Sequence, residues 1–177
     1  KAKVRLASID AGSLRNAIPR EAFAVITVPS DHEEEFLNLI STTEDEVKVV
    51  LKDIDPDVKI IAVKTEMPAS VIDSETAQNF YNSVLSCPNG VIAWDKNMPD
   101  VVETSSNLAI IKSEGNTISI AILTRSASDG ERDIVAAKIA DVFKSKGAEV
   151  SHHGAYPGWK PNVDSPILES MKKVYNT

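Results

Sequence analysis

The sequence lacks the residues that mark several common classes of protein. Its 177 residues hold 19 Lys and Arg against 26 Asp and Glu, a net charge of −7, and no basic cluster of the kind that binds nucleic acid is present. Its apolar runs, such as residues 22–28, are far shorter than the roughly 20 residues of a membrane-spanning helix. The single cysteine, Cys87, cannot form an internal disulfide and suits a reducing compartment such as the cytoplasm. We therefore expect no nucleic-acid partner and no membrane contact.

What is present fits a folded domain. Hydrophobic residues make up 42% of the chain and charged residues 25%, close to the average of soluble globular proteins and unlike disordered ones. The chain begins at Lys1 with strand-like residues, and it ends inside an amphipathic helix that starts with Ser165 as N-cap and Pro166 but has no stop signal. We interpret the chain as a piece of a longer protein.

Hydrophobic periodicity predicts an order of strands and helices. The predicted strands are 3–9, 22–28, 58–64, 90–94, 101–112, 117–125 and 148–152. The predicted helices are 30–53, 73–85, 128–147 and 165–177, and the polar patch at 41–43 leaves open whether the first is one helix or two. This order predicts an α+β fold, a two-layer sandwich with a mainly antiparallel sheet, helices packed on one face and two ferredoxin-like halves.

Local signals predict where the helices begin and end. Ser30 with Glu33, and Ser128 with Glu131, have the spacing of a capping box at a helix N-terminus. Gly147 follows the last apolar residues of its helix and is typical of the C′ position.

The chain offers no self-contained catalytic site and no metal site. Zinc needs three or four Cys, His or carboxylate ligands brought together, and the histidines here are few. His32 lies in a charged helical turn and is most simply solvated, while His152 and His153 are neighbours on a predicted strand and should point to opposite faces. Cys87 has no basic neighbour in sequence that would lower its pKa. We expect no catalytic residue and no metal ligand.

Two polar stretches contain residue types that a purely structural domain would not need there. One is the loop 13–20, in which Arg15 and Arg20 flank Asn16, and the other is the strand end 123–126, in which Arg125 follows an apolar strand. An Arg can hold a carboxylate through a bidentate fork, and an Asn can hold a carbonyl or carboxylate through its amide. The residues alone leave open the alternative of an ordinary turn and a surface arginine.

Three segments resemble one known group of enzymes. They are LASIDAGSLRNAIPREAFAVITVP at 6–29, VVETSSNLAIIKSEGNTISIAILTRSASD at 101–129 and GAYPGWKPNVDSPILESMKKVY at 154–175. They resemble the cytosolic non-specific dipeptidases of bacteria, also called aminoacyl-histidine dipeptidases or peptidase D. That group lies in a zinc metallopeptidase family with carnosinases, aminoacylases and succinyl-diaminopimelate desuccinylase.

The resemblance implies one part of a two-domain hydrolase. In the family, a catalytic domain with two zinc ions is interrupted by a lid or dimerisation domain. We expect residues 1–153 to be this lid and 154–177 to be a linker and the first helix of the re-entering catalytic domain. The family's zinc ligands, its acid–base Glu and its Gly-Gly-His-Ser-Gly motif have no match here. The resemblance therefore implies a zinc enzyme whose lid alone binds no zinc and is inactive.

The resemblance also implies substrate-binding residues and partners. Asn16 matches the Asn of the family's Asn-x-Ile-Pro motif, which helps to bind substrate in related enzymes. Arg125 resembles the lid Arg that clamps the substrate carboxylate, although related enzymes often keep that Arg at a position near Pro29 here. Asn107 is a third candidate. The implied partners are a dipeptide substrate and a second copy of the chain, in the cytoplasm.

Composition alone leaves open an alternative function of another class, a binding module instead of part of an enzyme. The chain would then be a freestanding ferredoxin-like module that binds a ligand or forms an oligomer without catalysis.

Overall fold

The computed structural model describes residues 3–175. The strands in this range are β1 (Arg5–Ala11), β2 (Ala22–Thr27), β3 (Gly90–Trp94), β4 (Val102–Glu114) and β5 (Thr117–Ser126). The α-helices are α1 (Glu33–Leu51), α2 (Ser74–Ser86), α3 (Asp129–Lys144) and α4 (Pro166–Tyr175), and a 3-10 turn (Ser30–His32) precedes α1. This is the predicted α+β fold, a two-layer sandwich built on an antiparallel sheet.

The sheet has the strand order β2-β1-β4-β3, with β5 paired to β4. β1 and β2 pair antiparallel from Arg5↔Thr27 to Ala11↔Ala22, with an irregularity between Leu6 and Ser8. The end of β1 pairs with the end of β4, and β3 pairs with the first half of β4; both pairings are antiparallel. The helices connect strands without any parallel crossover pairing among the described residues.

The chain divides into two compact units. The first comprises Lys1–Asn82 and Ala109–Ala121, and the second comprises Ser83–Leu108 and Ile122–Thr177. The buried apolar side chains of the first unit are Leu6, Ala77, Phe80, Ala109 and Ile111. Those of the second are Cys87, Val135, Ile139, Ala140 and Phe143, beside the buried hydroxyl residues Ser83, Thr104 and Ser106.

Helix α3 follows its sequence signals closely. Val135, Ile139 and Phe143 recur at i, i+4 and i+8, which places them on one helix face, and all three are buried. The Ser128 hydroxyl accepts the Glu131 N–H at 3.4 Å, so the predicted N-cap is confirmed. Gly147 has φ +84°, and the Ala148 N–H donates to the Phe143 carbonyl at 3.2 Å, which closes the helix in the predicted way.

Helix α1 departs from its predicted start. Residues 30–32 form the 3-10 turn, so α1 begins at Glu33 and no side chain caps it; the predicted capping box of Ser30 with Glu33 is wrong. The polar patch at 41–43 does not interrupt the helix. No residue of α1 is buried, and Val49 and Val50 are largely exposed.

Two predicted strands, 58–64 and 148–152, are not strands in the structure. In the first, the Ile60 N–H donates to the Glu44 carboxylate at 3.2 Å and Lys64 pairs with Glu33 at 2.6 Å, so α1 takes the place of a neighbouring strand. Hydrogen bonds from Lys48 and from the Ile60 amide lower the pKa of the Glu44 carboxyl. The second segment, 148–152, follows the C-terminal end of α3, and none of the described strands pairs with this segment.

We predict that Gly12→Ala destabilises the fold far more than Gly115→Ala. Both glycines have positive φ, +68° and +57°, which costs an alanine about 1 kcal/mol. At Gly12 a Cβ would also overlap the Ala109 carbonyl oxygen, whereas at Gly115 it would meet nothing within 4 Å. Denaturant unfolding should give a loss of about 3 kcal/mol or more for Gly12→Ala and about 1 kcal/mol for Gly115→Ala. Equal losses would contradict the close approach at Gly12.

Candidate functional site

The three predicted substrate-binding residues fall into different units. Asn16 lies in the loop between β1 and β2 in the first unit and is exposed. Asn107 lies in β4, half-buried, and Arg125 lies near the end of β5, exposed; both belong to the second unit. The structure therefore groups Asn107 with Arg125 and does not group Asn16 with them.

Two contacts fix how β4 and β5 meet beside Arg125. The hydroxyls of Thr104 and Ser126 are hydrogen-bonded at 2.8 Å, and the Ala127 N–H donates to the Glu103 carbonyl at 2.9 Å. Thr104 is almost fully buried, so this pair lies on the packed face of the two strands. Because successive side chains of a strand point to opposite faces, Arg125 points to the other face.

Asn107 lies on that same open face. Ser106 is buried like Thr104, so its neighbour Asn107 lies on the opposite side of β4. Thr104 lies across from Ser126. In an antiparallel pair the next two residues, Ser105 and Arg125, then lie across from each other, and Asn107 lies two positions further along β4. Strand alternation therefore puts Arg125 and Asn107 on the same face of the β4–β5 hairpin, and we call these two residues the open-face pair.

The open-face pair suits recognition of an anion. Glu103 lies on the same face of β4, yet within residues 3–175 the Arg125 guanidinium makes no ion pair with it or with another carboxylate. An exposed guanidinium presents several N–H donors in a planar fork that matches a carboxylate. The Asn107 side chain on the same face is a primary amide, a group that carries both donors and an acceptor.

The loop that carries Asn16 is held at its ends. The Gly12 N–H donates to the Glu21 carbonyl at 3.1 Å, and the Ala17 N–H donates to the Leu14 carbonyl at 3.2 Å in a tight turn. These bonds shape the loop and leave the Asn16 side chain exposed. Asn16 is therefore available to a ligand but is not preorganised by burial.

The histidines do not assemble a metal site. Among residues 3–175 no group of three or more His, Cys, Asp or Glu side chains could hold a metal ion, so the described residues do not fit the zinc ions of the resemblance. His32 contacts the Glu35 carboxylate at 2.8 Å in the first turns of α1, as a solvated helix start would. His152 and His153 do not lie on a strand, and both are exposed; the expected division into one packed and one exposed histidine is wrong because no sheet face is there to pack against.

Cys87 is a buried thiol. It lies just after α2, is 8% exposed, and its Sγ donates to the Pro88 carbonyl at 3.6 Å. Burial raises the pKa of the Cys87 thiol, which favours the protonated and less nucleophilic form.

We predict that iodoacetamide at pH 8 alkylates Cys87 at least about tenfold more slowly in the folded chain than in the urea-unfolded chain. The folded thiol is both shielded and less ionised, whereas unfolding removes both effects. Mass spectrometry of the alkylated fraction against time measures the rates, with N-acetylcysteine in each buffer as a control for reagent reactivity. Equal rates would show that the thiol is accessible in the native state.

One set of contacts is not predicted by the sequence. The Arg132 guanidinium donates to Asp133 and Asp129 and also to the backbone carbonyl of Tyr156, and Gly158 donates its N–H to Asp129. Hydrogen bonding to Asp133, together with the charge of Asp129, raises the pKa of Arg132. The Asp129/Arg132 pair at i, i+3 was visible in the sequence, but its contact with residues 24 or more positions away was not.

Comparisons with known proteins decide the relationship. Over 172 residues the chain is 31% identical to the cytosol non-specific dipeptidase of Escherichia coli K12, covering 97% of this chain and 36% of that protein. The crystal structure of the aminoacylhistidine dipeptidase from Vibrio alginolyticus superposes with a TM-score of 0.93 at 34% identity, covering 98% of this chain and 35% of that one. No family model matches.

The chain is homologous to a segment of these two bacterial dipeptidases. This confirms the resemblance stated from the sequence. It spans about one third of the length of both dipeptidases, so the comparison concerns a segment of those proteins and not their whole. At this identity and TM-score the chain also shares the fold of the matched segment. None of the helices within residues 3–175 has the length and hydropathy of a membrane span.

Proposed function

We propose that this chain is the lid domain of a zinc-dependent dipeptidase, a hydrolase of Xaa-His and other dipeptides in the cytoplasm. The proposal is supported by the match to two dipeptidases, which covers nearly the whole of this chain but only about a third of each dipeptidase. In this proposal residues 1–153 form the lid, and 154–177 form a linker and the first helix of the catalytic domain. Both zinc ions are held by residues outside this chain, which alone is inactive.

The lid's contribution is to hold the substrate, and the open-face pair carries this part of the proposal. A dipeptide ends in a carboxylate, and an exposed Arg125 without a competing carboxylate partner in the described structure can bind it through two parallel N–H donors. Asn107 on the same face can donate its amide N–H to the same carboxylate, and Asn16 binds elsewhere on the substrate. Holding the carboxylate fixes the scissile bond relative to the rest of the enzyme.

The alternative of a freestanding module has less support. A module without enzymatic descent would not be expected to match two dipeptidases over 97–98% of its length.

We predict that Arg125→Ala in the full-length protein lowers kcat/KM for a dipeptide by tenfold or more, roughly 1.4 kcal/mol of transition-state stabilisation. The same change should alter kcat/KM for the corresponding dipeptide amide little, because the amide has no carboxylate for Arg125 to bind. Steady-state kinetics on the two substrates measures both effects.

Lys138→Ala is the matched control for that experiment. Lys138 is an exposed cation of α3 in the same unit as Arg125, and no ion pair of its side chain occurs among the described residues. Its removal should leave both substrates unaffected. Near-normal kcat/KM of Arg125→Ala for the dipeptide, or equal losses for dipeptide and amide, would remove Arg125 from the site.

We also propose that the lid mediates a homodimer. In the first unit, helix α1 and the segment 58–64 tied to it expose four large apolar side chains: Val49 at 72%, Val50 at 76%, Ile61 at 72% and Val63 at 81%. Exposed apolar side chains concentrated on one helix and on the segment bound to it are a feature of interaction surfaces.

Sedimentation equilibrium of the 177-residue chain at several concentrations should therefore show a dimer. Ile61→Lys should weaken the dimer at least about tenfold, because it places a charge in the buried surface, while Leu85→Lys, at an exposed apolar residue of α2 outside this surface, should not. A strict monomer at all concentrations would mean that the lid is not by itself the dimerisation unit.

A further inference from the structure

The segment 154–161 is held by its backbone and not by its aromatic rings. Tyr156 and Trp159 are 64% and 79% exposed, so packing of these rings does not fix the segment within the described structure. Instead, the Tyr156 carbonyl accepts a hydrogen bond from Arg132 Nη1 at 2.6 Å, and the Gly158 N–H donates to Asp129 Oδ1 at 2.8 Å. Both partners lie in the first turn of α3.

The two α3 residues form one hydrogen-bonded assembly. Arg132 Nη1 also donates to Asp129 Oδ1 at 2.8 Å, so a single carboxylate oxygen joins the helix to the segment. Arg132 Nε donates to Asp133 Oδ1 at 2.9 Å, which holds the far side of the guanidinium. The Arg132 side chain is only 20% exposed, so it is more shielded from solvent than an ordinary surface arginine.

Gly158 allows the segment to lie directly on the end of β5. A Cβ at Gly158 would come within 2.7 Å of the Ala127 carbonyl oxygen and 2.8 Å of the Ser126 carbonyl oxygen. Such approaches are closer than real Cβ atoms make, so only glycine fits without a shift of the backbone. The two carbonyls belong to the residues that immediately follow Arg125.

We propose that Arg132, Asp129 and Gly158 form a latch that clamps the 154–161 segment onto the end of β5 and thereby holds Arg125 in position for the substrate carboxylate. Arg132 is then a positioning residue of the dipeptidase reaction, and it does not touch the substrate. Backbone displaced at Ser126 and Ala127 would move Arg125, because Arg125 is bonded to the first of them and the strand ends there. This inference rests on the proposed function of Arg125.

The latch itself is tested by hydrogen exchange of the full-length protein. Arg132→Ala should speed exchange of the Gly158 amide by about tenfold or more, since Asp129 loses the partner that orients it. Lys138→Ala should leave the exchange rate unchanged, and Arg132→Lys, which keeps the charge but lacks the fork, should restore protection only in part. Unchanged exchange in Arg132→Ala would overturn the latch whatever the kinetics show.

The coupling to Arg125 is tested by kinetics on the same proteins. Arg132→Ala should raise KM for a dipeptide and lower kcat/KM by about three- to tenfold, with kcat nearly unchanged and with little effect on the dipeptide amide. Gly158→Ala, which leaves Arg132 intact but pushes the segment off β5, should reproduce this pattern, so the proposal does not depend on one variant folding. Faster exchange of the Gly158 amide in Arg132→Ala, together with unaltered dipeptide kinetics in both variants, would overturn the positioning role.

The failure of this inference and that of the proposed function are distinguishable. If Arg125→Ala leaves the preference for the free dipeptide over its amide intact, the carboxylate role of Arg125 is overturned. Hydrogen exchange at Gly158 then still reports on the latch alone.

Discussion

A chain of hydrogen bonds at the end of β5 is the interaction on which the proposed substrate surface depends. Thr104 binds Ser126 at 2.8 Å, the Ser128 N–H donates to Ser126 Oγ at 3.1 Å, and the Glu131 N–H donates to Ser128 Oγ at 3.4 Å. These three contacts tie β4, β5 and the N-terminus of α3 together through two serine hydroxyls. Because Thr104 is buried, the first bond is shielded from water and holds its geometry.

The position of Arg125 follows from these hydrogen bonds between β4, β5 and the start of α3. With Ser126 committed to the packed face, the alternation of a strand leaves Arg125 on the open face beside Asn107. The segment 154–161 lies at the same end of β5, and its backbone is hydrogen-bonded to the first turn of α3. One short stretch of chain therefore sets the strand register, starts a helix and anchors the segment that leads to α4.

The sequence predicts elements well where local signals and burial agree. Helix α3 has an N-cap at Ser128, a buried face at i, i+4 spacing and a glycine with positive φ after its end, and all three are seen in the structure. The segment 58–64 shows the opposite case, because its alternating apolar residues predict a strand but its backbone is bound by a side chain of α1. Periodicity reports which residues are apolar and cannot report whether another strand lies beside them.

The same limit applies to the candidate site. Residue type and family resemblance indicate Arg125 and Asn107, and the strand alternation that puts them on one face is a local property. The contacts of Arg132 with Tyr156 and of Asp129 with Gly158 join residues 24 and 29 positions apart, and no local pattern specifies such pairs. Gly158 offered a signal, since a glycine between proline and tryptophan suggests a close backbone approach, but the partner could only come from the fold.

The most direct test of the account is a crystal structure of the full-length protein with a non-hydrolysable dipeptide analogue that keeps a free C-terminal carboxylate. We predict that both carboxylate oxygens lie within hydrogen-bonding distance of the Arg125 guanidinium, with Asn107 beside them. A carboxylate held entirely by residues outside this chain, with Arg125 facing solvent, would contradict it.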